Sequence, residues 1–207
     1  MFYETHIDSS LKIKDLKDIY NLPEVVLVNK FDEGAAKSFR EKFESALNSN
    51  QEIIPVVIDS YGGEVYSLLA MVDIIKNSPV PVATVLSGKA MSCGAILFTC
   101  GTEGHRYIGP NGTALIHDVS NWMYGKVEEL KIEVKEVKRL NKLVYHLMAS
   151  NCGKPKDYFL ELIKERGNRD WFLTPKECIK HNVANHIGNP TFKINIKAKV
   201  SFGCRNV

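Results

Sequence analysis

No run of 18 apolar residues occurs in this 207-residue chain, so no membrane-spanning helix is expected. The phosphate-cradling pattern Gly-x-x-x-x-Gly-Lys-Ser/Thr is missing as well, which excludes nucleotide binding by that route. Charge of one sign is scarce: 27 basic against 24 acidic residues leave +3, too little to argue for nucleic acid. Five cysteines (Cys93, Cys100, Cys152, Cys178, Cys204) are scattered, odd in number and without Cys-x-x-Cys pairs. Neither a disulfide framework nor a zinc site is expected from them. The first residues show no basic segment leading into an apolar one, so no secretory leader is expected. These absences fit a reduced, cytoplasmic setting with no metal, no cofactor, no nucleic acid and no membrane partner.

What is present is ordinary globular material, 44% apolar and 25% charged, long enough for one domain with a real core. Short β-branched runs alternate with helical periodicity. Val25–Val28 and Ile53–Ile58 read as buried strands, Glu33–Ser49 and Val65–Lys76 as helices with one apolar face. The run 79–86 reads as a strand, followed by a small-residue turn over Gly88–Gly94 and a buried helix over Ala95–Cys100. Tyr107-Ile108 and Thr113–Ile116 read as two further strands. Lys126–Ala149 is the longest helix, with Val127, Leu130, Val134, Val137, Val144 and Met148 in a seam that also holds Asn141. Phe192–Val200 alternates apolar and polar like an edge strand with lysines outward. The alternation predicts an α/β fold with a mostly parallel sheet.

Three elements with chemical potential lie just past predicted strand ends, where open α/β sheets carry their sites. Ser92 sits among Gly88, Ala90, Gly94 and Ala95, small neighbours that let another backbone approach its hydroxyl at a helix start. A serine there is also the ordinary N-cap residue. His117 is delivered at the exit of an apolar strand and is the best placed of six histidines to act as a base. Asp170 precedes the aromatic pair Trp171-Phe172 and is a candidate to orient that histidine; a turn aspartate is the alternative. Gly62-Gly63 permits φ > 0 or a close pass of an extended substrate, and with the N–H of Cys93 would supply oxyanion donors.

Taken together, Ile58-Asp59-Ser60-Tyr61-Gly62-Gly63, Gly88–Ala95, Pro110-Asn111 with Leu115-Ile116-His117, and Arg169-Asp170 with Phe172-Leu173-Thr174 resemble the proteolytic subunits (ClpP) of the Clp proteases. The resemblance runs in order from about Val25 to Ile187. It implies the ClpP/crotonase-like fold of repeated β-β-α units with a long protruding oligomerisation helix. It implies Ser92 as nucleophile, His117 as base and Asp170 as orienter, with Gly62, Gly63 and Cys93 forming the oxyanion and substrate-binding edge. It also implies a tetradecameric barrel of two stacked rings around unfolded polypeptide substrates. An unfoldase of the AAA+ type or paralogous ring subunits are the expected partners.

Several positions depart from that pattern. Tyr61 stands where the family usually has proline, Asp118 where it has glutamine, and Asn168 where an acidic residue faces the arginine across the ring interface. The segment before Asp170 is longer than usual. Pro55 and Val57 fall where aromatic residues often line the docking pocket for the ATPase. One catalytic domain is expected over 23–188, with its long helix near 126–149, flanked by an N-terminal arm or loop over 1–22 and a tail over 189–207. The rival readings are a non-catalytic ring subunit, a Ser/Lys-dyad peptidase using Lys89, and a crotonase-type acyl-CoA enzyme.

Overall fold

The structure, a computed structural model, describes residues 23–120 and 124–191. The proposed arm at 1–22 and the alternating stretch 192–200 lie outside the described residues. Strand β1 (Val26–Val28) is followed by helix α1 (Glu33–Asn48). The start of α1 is fixed by Asp32, whose carboxylate accepts from the Ala35 amide at 2.7 Å. Its inward face is Phe39, Phe43 and Ala46, as the periodicity predicts. Strand β2 (Ile54–Ser60), helix α2 (Val65–Lys76), strand β3 (Val82–Met91) and helix α3 (Cys93–Thr99) come next. Strands β4 (Arg106–Ile108) and β5 (Thr113–Ile116) lead into the long helix α4 (Val127–Asn151). The chain closes with α5 (Tyr158–Glu165), β6 (Trp171–Leu173), α6 (Pro175–Lys180) and β7 (His186–Ile187).

The sheet runs β1-β2-β3-β4-β7, with β5 also paired to β3 and β6 paired to β5. Every pair is parallel except β5–β6. Pro55 sits inside this sheet without losing a ladder bond. Ile54 donates to Pro81 on the β3 side, so residue 55 would donate toward β1, and β1 pairs only from Val56 onward.

One expectation changes. Gly88–Met91 is not a turn but the second half of β3, and the turn is confined to Ser92. The first half of β3 pairs with β4 over Thr84–Leu86 and the second with β5 over Lys89–Met91. Gly88, at φ +86, is the joint at which the strand changes neighbours. The small residues therefore serve close strand packing, with Ala90 opposite Ser60 across a shifted register in β2.

Helix α3 is buried along all seven residues and packs under the sheet's site edge. Helix α4 behaves differently along its length. Leu140, Val144, Tyr145, Met148 and Ala149 are buried, whereas Val127, Ile132 and Val134 in its first half are exposed. Its first turns stand clear of this chain's core.

Candidate active site

Ser92 occupies the single residue between β3 and α3. Its backbone sits at φ +54, ψ −120, and its hydroxyl makes no capping bond to the helix behind it. The ordinary N-cap role is thus not what the serine performs. A side chain at positive φ costs roughly 1–3 kcal/mol, and such strain persists only where surrounding structure enforces it. Here the enforcement is explicit: the Ser92 amide donates to the Leu115 carbonyl at 2.9 Å, and the Ser92 carbonyl accepts from Ala95 and Ile96.

The bond to Leu115 carries the serine to the exit of β5, two residues before His117. Both side chains line one pocket of about 60 Å³ with Val65, Leu68, Ile96 and Val144. Across the sheet, Ile116 is registered with Trp171 as the last pair of the β5–β6 ladder, and the next positions outward are His117 and Asp170. His117 Nδ1 lies 3.8 Å from Asp170 Oδ1, near enough for charge attraction but longer than a hydrogen bond. The imidazole is 26% exposed and the carboxylate 60%. The aromatic neighbours of Asp170 do not bury it: Trp171 turns into the core and leaves Asp170 at the rim.

The two glycines divide their duties. A Cβ on Gly62 would stand 2.8 Å from Ser92 Cβ and 2.9 Å from the Met91 carbonyl, so this position admits the strand that ends at Ser92. Its N–H is engaged by Ser60 Oγ at 3.1 Å. A Cβ on Gly63 would collide with the Phe31 carbonyl. The Glu64 amide donates to that same carbonyl, while the Gly63 carbonyl faces Cys93 Sγ at 3.2 Å. The two N–H groups therefore differ, because that of Gly62 is already taken up by Ser60. Of the pair, Gly63 is the candidate donor and Gly62 the spacer. Cys93 opens α3, where a first-turn N–H has no intrahelical acceptor. Burial pushes its thiol up to about 11, so it stays protonated beside Ser92.

Lys89, the base a Ser/Lys dyad would need, points elsewhere. Its ammonium binds Asp59 at 2.6 Å and lies 4.3 Å from the centre of the Tyr61 ring. The hydrogen bond to Asp59 raises its pKa, the opposite of what a lysine base requires. Tyr61 at the proline position is thus a ring beneath a cation. Asp118 is held by α4. Its Oδ1 accepts from Asn141 Nδ2 at 2.9 Å and from the Tyr145 hydroxyl at 3.1 Å, both on α4. Ser60, Phe31 and Tyr145 were not singled out from sequence. A polar Asn141 in an otherwise apolar seam was the one available signal for the last group.

Among the described residues no helix is long and apolar enough to cross a membrane. The Clp protease family is matched over residues 9–191, a span holding both glycines, Ser92, His117 and Asp170. The chain is 31% identical over 144 residues to the ATP-dependent Clp protease proteolytic subunit of Deinococcus radiodurans, across 70% of this chain and 68% of that one. It is 29% identical over 134 residues to the protein of that name from Porphyromonas gingivalis, across 65% of this chain and 59% of the relative. On the extent of that match and the fold beneath it, the chain belongs to the Clp protease family.

Proposed function

We propose that this chain is a serine endopeptidase acting on unfolded polypeptides, with Ser92 as nucleophile, His117 as general base and Asp170 as its orienter. The observation that supports it most is Ser92 itself: strained, uncapped and sharing a pocket with His117. Nδ1 of His117 is the nitrogen nearer Asp170, which leaves Nε2 to receive the Ser92 proton. Ser92 Oγ then attacks the peptide carbonyl, and the N–H groups of Gly63 and Cys93 stabilise the oxyanion. His117 returns the proton to the leaving amine, and water repeats the sequence to free the acyl group. The aliphatic lining of Val65, Leu68, Ile96 and Val144 suits an apolar side chain next to the scissile bond. The direct test is hydrolysis of short fluorogenic peptides by the wild type and by His117→Ala. Loss of turnover with an unchanged elution volume is expected; near-normal turnover in His117→Ala would refute the assignment.

This reading extends to assembly. The 3.8 Å between His117 and Asp170 needs about 1 Å of closure to become a hydrogen bond, and Asp170 lies exposed beside Arg169. Stacked rings of this chain, with the free half of α4 between them, would cover that rim and bring the carboxylate in. A Clp-type ATPase delivering unfolded substrate is the implied partner, although Pro55 is buried and Val57 half-buried at the docking positions. Asn168 has φ +53 and caps α5 through a bond to the Ile163 carbonyl, a conformation that asparagine and aspartate both tolerate. Asn168→Asp would give Arg169 of a neighbouring ring a charged partner, roughly twice as strong as a neutral one. It is expected to move mass-photometry counts toward double rings and to raise specific activity in parallel. No change in either quantity would contradict this coupling.

A further inference from the structure

Beyond Ile116 the backbone leaves β5 and has no strand partner over residues 117–120. The direction in which His117 points then depends on what holds the residues immediately after it. Asn141 of α4 holds both. Its Oδ1 accepts the Val119 N–H at 2.9 Å, and its Nδ2 donates to Asp118 Oδ1 at 2.9 Å. One planar amide thus closes a ring over two successive residues. One helical turn further, the Tyr145 hydroxyl donates to the same carboxylate oxygen at 3.1 Å. Tyr145 is fully buried among core residues, so the anchor is rigid. Burial and then the charge of Asp118 push its hydroxyl pKa upward, which keeps it a donor. Val144, next to Tyr145, and Val119, held by Asn141, both line the pocket containing Ser92 and His117.

We propose that Asp118, Asn141 and Tyr145 form a clamp from α4 that sets the aim of His117 at Ser92, acting as positioning residues. This rests on the reading of His117 as general base. Hydrogen bonds to a carboxylate are among the stronger ones available to a side chain. A base displaced by about 1 Å loses ~10²-fold in rate, so loss of the clamp is read in turnover. The half of α4 that bears it is the buried half, so a shift of the helix would be felt at the histidine.

The test uses the full-length protein and four variants. Asn141→Leu removes both bonds of the amide at similar volume, and Tyr145→Phe removes the hydroxyl while keeping the buried ring. Asp118→Asn keeps an acceptor oxygen and serves as the conservative rescue, with Ser92→Ala as the control for the chemistry. Asn141→Leu is expected to lower kcat about 10–100-fold with KM within about twofold, and Tyr145→Phe about threefold. Asp118→Asn should remain within about threefold of the wild type. The rate of fluorophosphonate acylation of the protein should fall in step with kcat. If Asn141→Leu and Tyr145→Phe keep full kcat while Ser92→Ala is inactive, the clamp is wrong and the serine-peptidase reading stands. If the whole loss in both variants follows a lower melting temperature or a smaller assembly, with kcat per assembled particle unchanged, the residues are structural and the proposal fails. An active Ser92→Ala would instead overturn the reading beneath it.

Discussion

Ser92→Ala is expected to lower peptide hydrolysis roughly 10⁴–10⁶-fold, and Ser92→Gly to be equally inactive yet more stable than Ser92→Ala. Alanine at φ +54 keeps the strain of the turn without its function. Glycine relieves roughly 1–3 kcal/mol of that strain and returns about 0.5–1 kcal/mol through the greater freedom of its unfolded chain. The net gain of about 1 kcal/mol corresponds to a melting temperature about 2–4 °C above that of Ser92→Ala in a chain of this size. Differential scanning calorimetry on the two variants measures it. Equal melting temperatures would mean that residue 92 does not carry left-handed strain, and would remove the main support for its role.

The second large effect involves no reactive group. Gly62→Ala places a methyl 2.8 Å from Ser92 Cβ and 2.9 Å from the Met91 carbonyl, at φ +102. Neither neighbour is the far end of a flexible side chain, so the strands must separate. Left-handed strain and overpacking together are expected to destabilise by about 3 kcal/mol and to abolish activity by moving Ser92. Gly104→Ala is the matched control: φ is +83 but nothing lies within 4 Å of the added methyl, so only about 1 kcal/mol of strain is expected. Denaturant melts of both variants separate the two contributions. A Gly62→Ala protein as stable and active as Gly104→Ala would contradict the close approach of β2 to Ser92.

Periodicity was a good guide where one face decides everything. Phe39, Phe43 and Ala46 mark α1, and the short β-branched runs mark β1 and β2, because burial of that face outweighs every local alternative. It misjudged Gly88–Met91, since small residues look like a turn until a neighbouring strand needs them to be small. Whether a residue packs closely against β5 or turns away is a tertiary fact. The nearness of Ser92 and His117 was legible through their placement at strand exits, which topology converts into proximity. The exposure of Asp170 was not, because a carboxylate beside Trp171 shares its position in the chain but not its side of the strand. Nor was the orientation of Asp118, whose partners lie 23 and 27 residues away on α4.

The central claim is that Ser92 is an activated nucleophile. Its most direct test is reaction of the intact, assembled protein with a fluorophosphonate probe, read by intact mass and peptide mapping. The account predicts one adduct per chain, on Ser92, lost in Ser92→Ala and strongly slowed in His117→Ala. An unmodified protein, or an adduct on another residue with Ser92 untouched, would contradict it.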